Sequence, residues 1–390
     1  MICSINRRIK VIHVITRMDW GGSPDILRIL FHYLDKDVFD LRLVMGKTLH
    51  PSQTTSIFLN KIKNRLEVIP WLIREVNPIY DVGTFFRLVY LFIKYHPDIV
   101  HTHTAKAGAL GRLAARIAGV PVVIHTPHGH NFYGYFNPLI SWLIILAEKF
   151  LSFFCDKIIA LTKLERDDYI KHRVADKKKF VLIYHGLELD KYEQAEFDRL
   201  VAKNSFKISE DTLVVGMIGR LEPVKGPQYF MDAAIKILSL NIDVVFILAG
   251  EGSMRRELQE KARQLSFQDK IIFTGWLHDT RSLFSILDIL ILPSLNEAVG
   301  MVLIEAQSQG IPVVATRVGG VPEVVKDQIT GFLVPPARSD LLAEAALRLL
   351  NSRELRFQLG QAGRNWVKDK FNTTIMSENI SNLYKQLIII

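Results

Sequence analysis

Short apolar runs alternate with amphipathic stretches along nearly all of the 390 residues. This predicts an α/β protein in which parallel sheets are covered by helices on both faces. The length is sufficient for two domains, and a hydrophobic fraction of 49% is that of a globular chain, so each half is able to bury its own core. A third observation is the stretch 289–325. It opens with the apolar run Ile289 to Leu292, breaks at Pro293-Ser294 into a loop carrying Glu297, resumes helical spacing after Gly300 with Glu305 inside, and returns to a strand from Ile311 to Ala315. That is one βαβ winding, and such windings bind ligands outside the carboxyl ends of their strands.

In the first half, Ile9 to Ile15 reads as a strand, and Trp20-Gly21-Gly22-Ser23-Pro24 turns it into a helix from about Asp25. Arg7, Arg8 and Lys10 before this run superficially resemble a signal peptide, but the run contains His13 and ends at Arg17-Met18-Asp19 without a small-residue cleavage site. Gly21-Gly22 admits a phosphate or sugar close to the helix start, although a tight turn explains the doublet equally well. No GxGxxG follows the first strand, which disfavours a nicotinamide or flavin enzyme. Leu41 to Met45 is a strand, Thr48 to Asn64 is loop-like, and Asp81 to Tyr95 is a helix. A strand at Asp98–His101, an Ala-rich helix at Lys106–Ala118 and a strand at Val120–His125 follow.

His125-Thr126-Pro127-His128-Gly129-His130 lies at the carboxyl end of that last strand, where His128 beside Gly129 is best placed for a functional role. A satisfied structural histidine is the alternative. No acid or thiol neighbours these histidines in sequence, so no metal site is expected. Phe136 to Phe154 is aromatic and aliphatic but too short and too charged to span a bilayer. Burial between domains or against the sheet is the expectation, with monotopic contact at a membrane surface as the alternative. Strands at Asp156–Leu161 and Phe180–His185 complete the half, and charged Asp190 to Asn204 reads as the linker.

In the second half, Leu213 to Ile218 runs into Gly219-Arg220-Leu221-Glu222-Pro223-Val224-Lys225-Gly226 and a helix from Pro227 to Leu238. Arg220 and Lys225 in one strand-to-helix loop suit a diphosphate, the first through its planar fork and the second as a point charge. Val244–Ala249 is a strand, and Gly250-Glu251-Gly252 turns into a helix at Met254–Leu265. Lys270–Phe273 is a short strand that leads to Thr274-Gly275-Trp276. On one helix Glu297 and Glu305 would stand roughly 80° and about 12 Å apart, so they do not form a close carboxylate pair. With Glu297 in the loop they are able to hold opposite ends of an elongated ligand, the N–H groups of Gly300, Met301, Val302 and Leu303 facing its anionic middle. An acid favoured by the helix dipole and a solvated helix Glu explain the same spacing. Thr330–Val334 is an edge strand, helices follow at Ser339–Leu350 and Arg353–Asp369, and the last helix, from about Thr373 to Leu387, is expected to brace the first domain.

Residues 1–200 hold 28 Lys+Arg against 20 Asp+Glu, so nearly all of the net charge of +9 belongs to the first half. No cationic block is long enough to argue for nucleic acid; the longest, Lys177-Lys178-Lys179, reads as capping a turn. Two cysteines, Cys3 and Cys155, without CxxC spacing fit a reducing cytoplasm.

Gly21-Gly22, His128-Gly129, GRLEPVKG, Gly250-Glu251-Gly252 and Glu297-x7-Glu305 followed by IPVVAT and GGVPEVV resemble, taken together, glycosyltransferase family 4 over nearly the whole chain. The resemblance implies the GT-B fold: two Rossmann-like domains, here 1–190 and 205–370, facing across a cleft, with 371–390 returning to the first. It implies a retaining transfer from a nucleotide sugar, with UDP the default, and neither metal nor cofactor. The donor would sit mostly on the second domain, the acceptor mostly on the first. Carried over, Arg220 and Lys225 would neutralise the diphosphate, Glu297 would contact the sugar and Glu305 the ribose. Gly21, Gly22, Gly250, Gly252 and Gly300 to Leu303 would line the donor, and His128 would face the reacting carbon. Val299 where such families often carry Phe, and His185-Gly186-Leu187-Glu188 where Asn-Gly-Ile-Asp is usual, depart from the pattern. The basic first half and the aromatic stretch add an expectation of a saccharide or lipid-linked acceptor at the inner face of an anionic membrane. A sugar-nucleotide 2-epimerase and a non-catalytic nucleotide-sugar-binding subunit are the competing readings.

Overall fold

The computed structural model describes the chain except for residues 1–6, 20, 50, 130–131, 133–136, 190, 192–196, 266, 278 and 390. Cys3, Trp20, His130 and Asp190 therefore lie outside the described residues. Two compact units divide the chain, one of residues 1–186 with 373–390 and one of 187–372.

The first unit begins β1 (Ile9–Ile15), α1 (Gly22–Tyr33), β2 (Phe39–Met45), α2 (Gln53–Lys61), β3 (Leu66–Val68) and α3 (Pro78–Tyr95). It continues β4 (Ile99–His103), α4 (Ala105–Ile117), β5 (Val122–Thr126), α5 (Pro138–Ser152), β6 (Lys157–Ala160), α6 (Lys163–Lys171) and β7 (Phe180–Leu182). All pairings are parallel, in the order β3-β2-β1-β4-β5-β6-β7. Burial on both faces accounts for the near-continuous apolar strands: every residue of β4 and β5 is buried. The core runs from Ile12, Val14 and Val100 to Leu88, Leu91 and Phe92 of α3 and Ala107, Ala114 and Ala115 of α4.

The second unit holds α7 (Arg199–Ser205), β8 (Leu213–Ile218), α8 (Pro227–Leu238), β9 (Val244–Ala249), α9 (Arg255–Gln264), β10 (Ile271–Gly275) and α10 (Arg281–Ile286). After these come β11 (Ile289–Leu292), α11 (Met301–Ser308), β12 (Val313–Thr316), α12 (Val321–Val324), β13 (Gly331–Val334), α13 (Ser339–Leu350) and α14 (Arg353–Lys370). Its sheet is also parallel, ordered β10-β9-β8-β11-β12-β13. The last helix, α15 (Thr373–Ile389), belongs to the first unit and contacts α1. Its Tyr384 is fully buried against Phe39 and His101.

Both sheets reverse their winding at the first strand, between β1 and β4 and between β8 and β11, and the carboxyl ends there form the crevice at which doubly wound sheets take ligands. Three local expectations are corrected. The loop-like stretch 48–64 contains α2, started by the Ser52 hydroxyl, which accepts from the Thr55 amide. The expected linker contains α7, capped by Asp198 and fixed to the second unit by Arg199–Asp288 at 2.8 Å. Buried Lys203 helps hold it there, its ammonium donating to the carbonyls of Glu210 and Thr212. Lastly, α5 is buried along one face only: Ser141, Leu151 and Ser152 are buried and Ile144 and Ile145 pack against Phe132, Tyr169 and Val174, but Leu139, Trp142, Leu143, Leu146 and Phe150 are all exposed.

Candidate active site

In the second unit two loops meet at the reversal point. The loop after β8 closes with a 3-10 turn at Pro223–Lys225, and Gly226 leaves it with φ 70 to start α8. A Cβ on Gly226 would lie 2.1 Å from the Pro293 carbonyl, so the glycine lets the backbones touch. The Leu295 amide donates to the Val224 carbonyl at 2.8 Å and ties the loops together. This brings Lys225 Nζ to 2.5 Å from Glu297 Oε2, a partly buried ion pair between residues 72 apart in sequence. Ser294 Oγ donates to the same oxygen at 3.1 Å, and Thr316 Oγ1 holds the Ser294 carbonyl at 2.5 Å.

The main chain of Glu297 is gripped from the other side. Gly320 N–H donates to the Glu297 carbonyl at 3.1 Å, and a Cβ on Gly319, whose φ is 46, would lie 1.9 Å from that oxygen. Only glycine at 319 permits this approach. Beyond Glu297, buried Val299 leads to Gly300 in the left-handed region (φ 80), the cap from which α11 starts. Glu305 follows one turn in and is part-buried. One expected donor is spent: the Leu303 amide bonds the Gly300 carbonyl at 2.9 Å, leaving the first-turn amides of Met301 and Val302 as the better-placed pair.

Arg220 is exposed in the same loop as Lys225, with no hydrogen bond or ion pair among the described residues. Its neighbour Glu222 is held below the usual carboxylate range by the Ser253 hydroxyl. Gly250 and Gly252 have a packing reason. A Cβ on either would lie 1.9 Å from the Gly219 carbonyl or 2.3 Å from that of Leu221, while the Leu221 amide bonds the Glu251 carbonyl at 2.8 Å. They shape the Arg220 loop from behind.

In the first unit, Gly21 has φ 146 and caps α1, with nothing within 4 Å of where a Cβ would stand. The Gly22 carbonyl faces His185 Nε2 at 3.0 Å, and His185 Nδ1 faces the Gly186 carbonyl at 2.8 Å. A neutral ring donates to only one of them. Burial nonetheless pushes the His185 imidazole below its ordinary value. The loop after β1 meets that after β4 through Thr16 Oγ1 and Thr104 Oγ1, 3.0 Å apart, with Thr104 at a strained φ of 66.

His128 sits in the left-handed region (φ 60) before Gly129 (φ 99). Glu165, buried in α6, clamps this loop: its carboxylate accepts from the Gly129 amide at 2.8 Å and the Leu161 amide at 2.7 Å. His128 Nε2 faces inward to His103 Nδ1 at 2.9 Å, and His103 Nε2 meets His13 Nδ1 at 3.1 Å. A chain of three imidazoles thus runs from the core to the crevice, where His128 keeps only Nδ1 for a ligand. Burial pushes His13 and His128 down to about 3 and His101, His103 and His125 well below the ordinary range, so all five are neutral at neutral pH. At neutral pH His128 therefore presents an uncharged ring at the crevice.

Ring nitrogens of His13, His101 and His103 lie within 4.8 Å of one another, the grouping among the described residues able to gather on a cation. His101, however, bonds Tyr384 Oη at 2.6 Å and Thr126 Oγ1 at 2.7 Å, and His103 spends both nitrogens on His13 and His128. A cation there would have to break this network. Sequence reading missed this cluster because its members come from β1 and β4, nearly ninety residues apart in the chain. It also missed Glu165, Ser294 and Gly319, of which only the Gly319-Gly320 doublet left a sequence signal.

Known proteins resemble this chain in sequence and in fold. Residues 20–191 match the family model Glycosyltransferase Family 4, and residues 198–366 match that of Glycosyl transferases group 1. The Escherichia coli UDP-Gal:alpha-D-GlcNAc-diphosphoundecaprenol alpha-1,3-galactosyltransferase is 29% identical over 99% of both chains. The Staphylococcus aureus capsular polysaccharide biosynthesis glycosyltransferase CapM is 26% identical over 97% of both. Among solved structures, Anabaena HepE in complex with UDP and glucose superposes with a TM-score of 0.83 over 97% of this chain and 100% of its own, at 20% identity. The chain belongs to glycosyltransferase family 4 and is a GT-B enzyme that acts on nucleotide-sugar donors.

Proposed function

We propose that the enzyme transfers a sugar, with retention of anomeric configuration, from a UDP-sugar to a lipid-linked saccharide in surface polysaccharide assembly. The observation that carries this reading is the Lys225–Glu297 pair, set at the reversal point of the second sheet with Arg220 exposed in the same loop. The place offers two cations for a diphosphate, an acid for sugar hydroxyls and a helix start between them. The choice of UDP and of a lipid-linked acceptor is supported by the E. coli relative, named for UDP-Gal and a diphosphoundecaprenol-linked GlcNAc, and by HepE, solved with UDP and glucose.

In the proposed step the acceptor hydroxyl oxygen bonds to the anomeric carbon as the bond from that carbon to the diphosphate oxygen breaks on the same face. The departing phosphate oxygen takes the hydroxyl proton. No side-chain base is required, which suits a second-unit crevice whose acid, Glu297, is already paired with Lys225. Arg220 and Lys225 offset the charge that grows on the diphosphate, an effect worth roughly 10²–10³ in turnover for one donor. Glu297 orients the sugar, Glu305 the ribose, and the amides of Met301 and Val302 the phosphate. Because protein cations carry the phosphate charge, activity is expected to survive EDTA. A thermal-shift panel of UDP-, GDP- and ADP-sugars tests the donor: UDP-sugars alone should raise the melting temperature. Equal shifts from GDP-sugars would remove the UDP assignment, and a C2 epimer formed from UDP-sugar without acceptor would replace transfer by epimerisation.

A further inference from the structure

We infer that the outer surface of α3 and α5 rests on an anionic lipid membrane, with α5 lying in the plane of the interface. On α3 the residues Ile79, Val82, Phe86, Tyr90 and Ile93 recur in steps of three and four and are 52–81% exposed. They form one stripe, opposite the buried Thr84, Leu88, Leu91 and Phe92. Trp71, also half exposed, lies beside this helix at Gly83. On α5 a second stripe follows the same steps through Leu139, Trp142, Leu143, Leu146 and Phe150, and Phe153 just past its end is 72% exposed.

The small Ala- and Gly-rich helix α4 contacts both and lies between them, so the stripes share one side of the sheet. They recur at helical spacing along two neighbouring helices rather than standing singly, as scattered surface apolar residues do. Nothing within the described unit covers them.

Charge selects the occupant. The unit that carries these stripes holds 27 Lys+Arg against 16 Asp+Glu, while the other holds 22 against 24. A second copy docked face to face would bring two strongly cationic units together; an anionic bilayer would complement one. At the carboxyl end of α5 an open cavity of about 390 Å³ is lined by Lys149 and Arg173 together with Phe153, Ile170 and Val174. Lys149 and Arg173 are exposed, and their side-chain cations make no hydrogen bond or ion pair among the described residues. Lys179, in the same wall, is anchored on the carbonyls of Ser152 and Cys155. Asp176, the acid of the lining, is turned to the Lys178 amide. Two unpaired cations beside an exposed phenylalanine suit a lipid phosphate whose acyl chains continue along the α5 stripe. At 15 residues α5 is too short to cross a bilayer, and no helix among the described residues is long and apolar enough to do so, which leaves an in-plane seat.

The surface is independent of which sugar is moved. It is tested on the full chain by flotation with vesicles of phosphatidylcholine alone and of phosphatidylcholine with phosphatidylglycerol. Binding to the anionic vesicles and little to the neutral ones is expected, weakening with salt. The exposed triple variant Trp142→Gln/Leu146→Gln/Phe150→Gln should lose about tenfold or more in partition. Lys149→Glu/Arg173→Glu should abolish the preference for the anionic vesicles. Both should keep the wild-type melting temperature and its shift by UDP-sugar, which separates a failed membrane seat from a failed donor assignment. Unchanged partition in the triple variant, absence of vesicle binding by the wild type, or a stable homodimer lost in the triple variant would overturn the inference.

Discussion

Glu297 is held at three points: its carboxylate by Lys225 and Ser294, its carbonyl by Gly320, and its backbone by the close approach of Gly319. Lys225→Ala should lower kcat about 10²–10³-fold, with donor affinity reduced and circular dichroism unchanged. A wild-type kcat would remove Lys225 from the chemistry. Gly319→Ala forces a Cβ into the Glu297 carbonyl from a left-handed backbone, a change of about 2–4 kcal/mol readable as a lower urea midpoint. The buried histidines set a pH dependence of stability. Their folded values lie below the unfolded value near 6.5, so the unfolded chain takes up protons first as pH falls. Stability should be full above about pH 7 and decline as pH falls below about 6, where the unfolded chain takes up protons that the buried rings exclude. Melting temperatures across pH 7.5 to 5 should fall, and less steeply for His13→Phe; a flat profile would contradict the neutral assignment.

At the scale of elements, what decides function here is which loops the strand ends bring together. Glu165 of α6 holds the His128–Gly129 loop by two charge-assisted bonds. Glu165→Gln keeps its size but supplies only one carbonyl oxygen. It should quicken amide exchange around Gly129 while leaving α8 and α11 of the other unit unchanged. The strands were legible because parallel strands buried on both faces are continuous apolar runs with turn residues at their ends. The helix α8 was equally plain, since Gly226-Pro227 marks its start. The setting of α5 was not legible: an apolar stripe of this length reads as core unless the partner surface is known to be missing. Helix α7 was hidden in a charged segment because its anchors, Asp288 and the 209–212 carbonyls, lie outside it.

For the whole molecule, sequence order separates what the chemistry unites. Lys225 and Glu297 carried the right charges for their site, yet their direct contact spans 72 residues and follows from sheet order alone. The same holds for His13, His103 and His128, one chain of rings drawn from three elements. Charge divides by unit as well, so that the cationic excess and the exposed helices fall on one unit and the Lys225–Glu297 crevice on the other. Retaining transfer is read out by incubating the enzyme with labelled UDP-sugars and a polyprenyl-diphosphate-linked monosaccharide, then assigning the anomer of the new linkage by NMR. An α-linked product is expected from an α-configured UDP-sugar, formed by the wild type and lost in Lys225→Ala. A β-linked product, or the same rate from the variant, would contradict it.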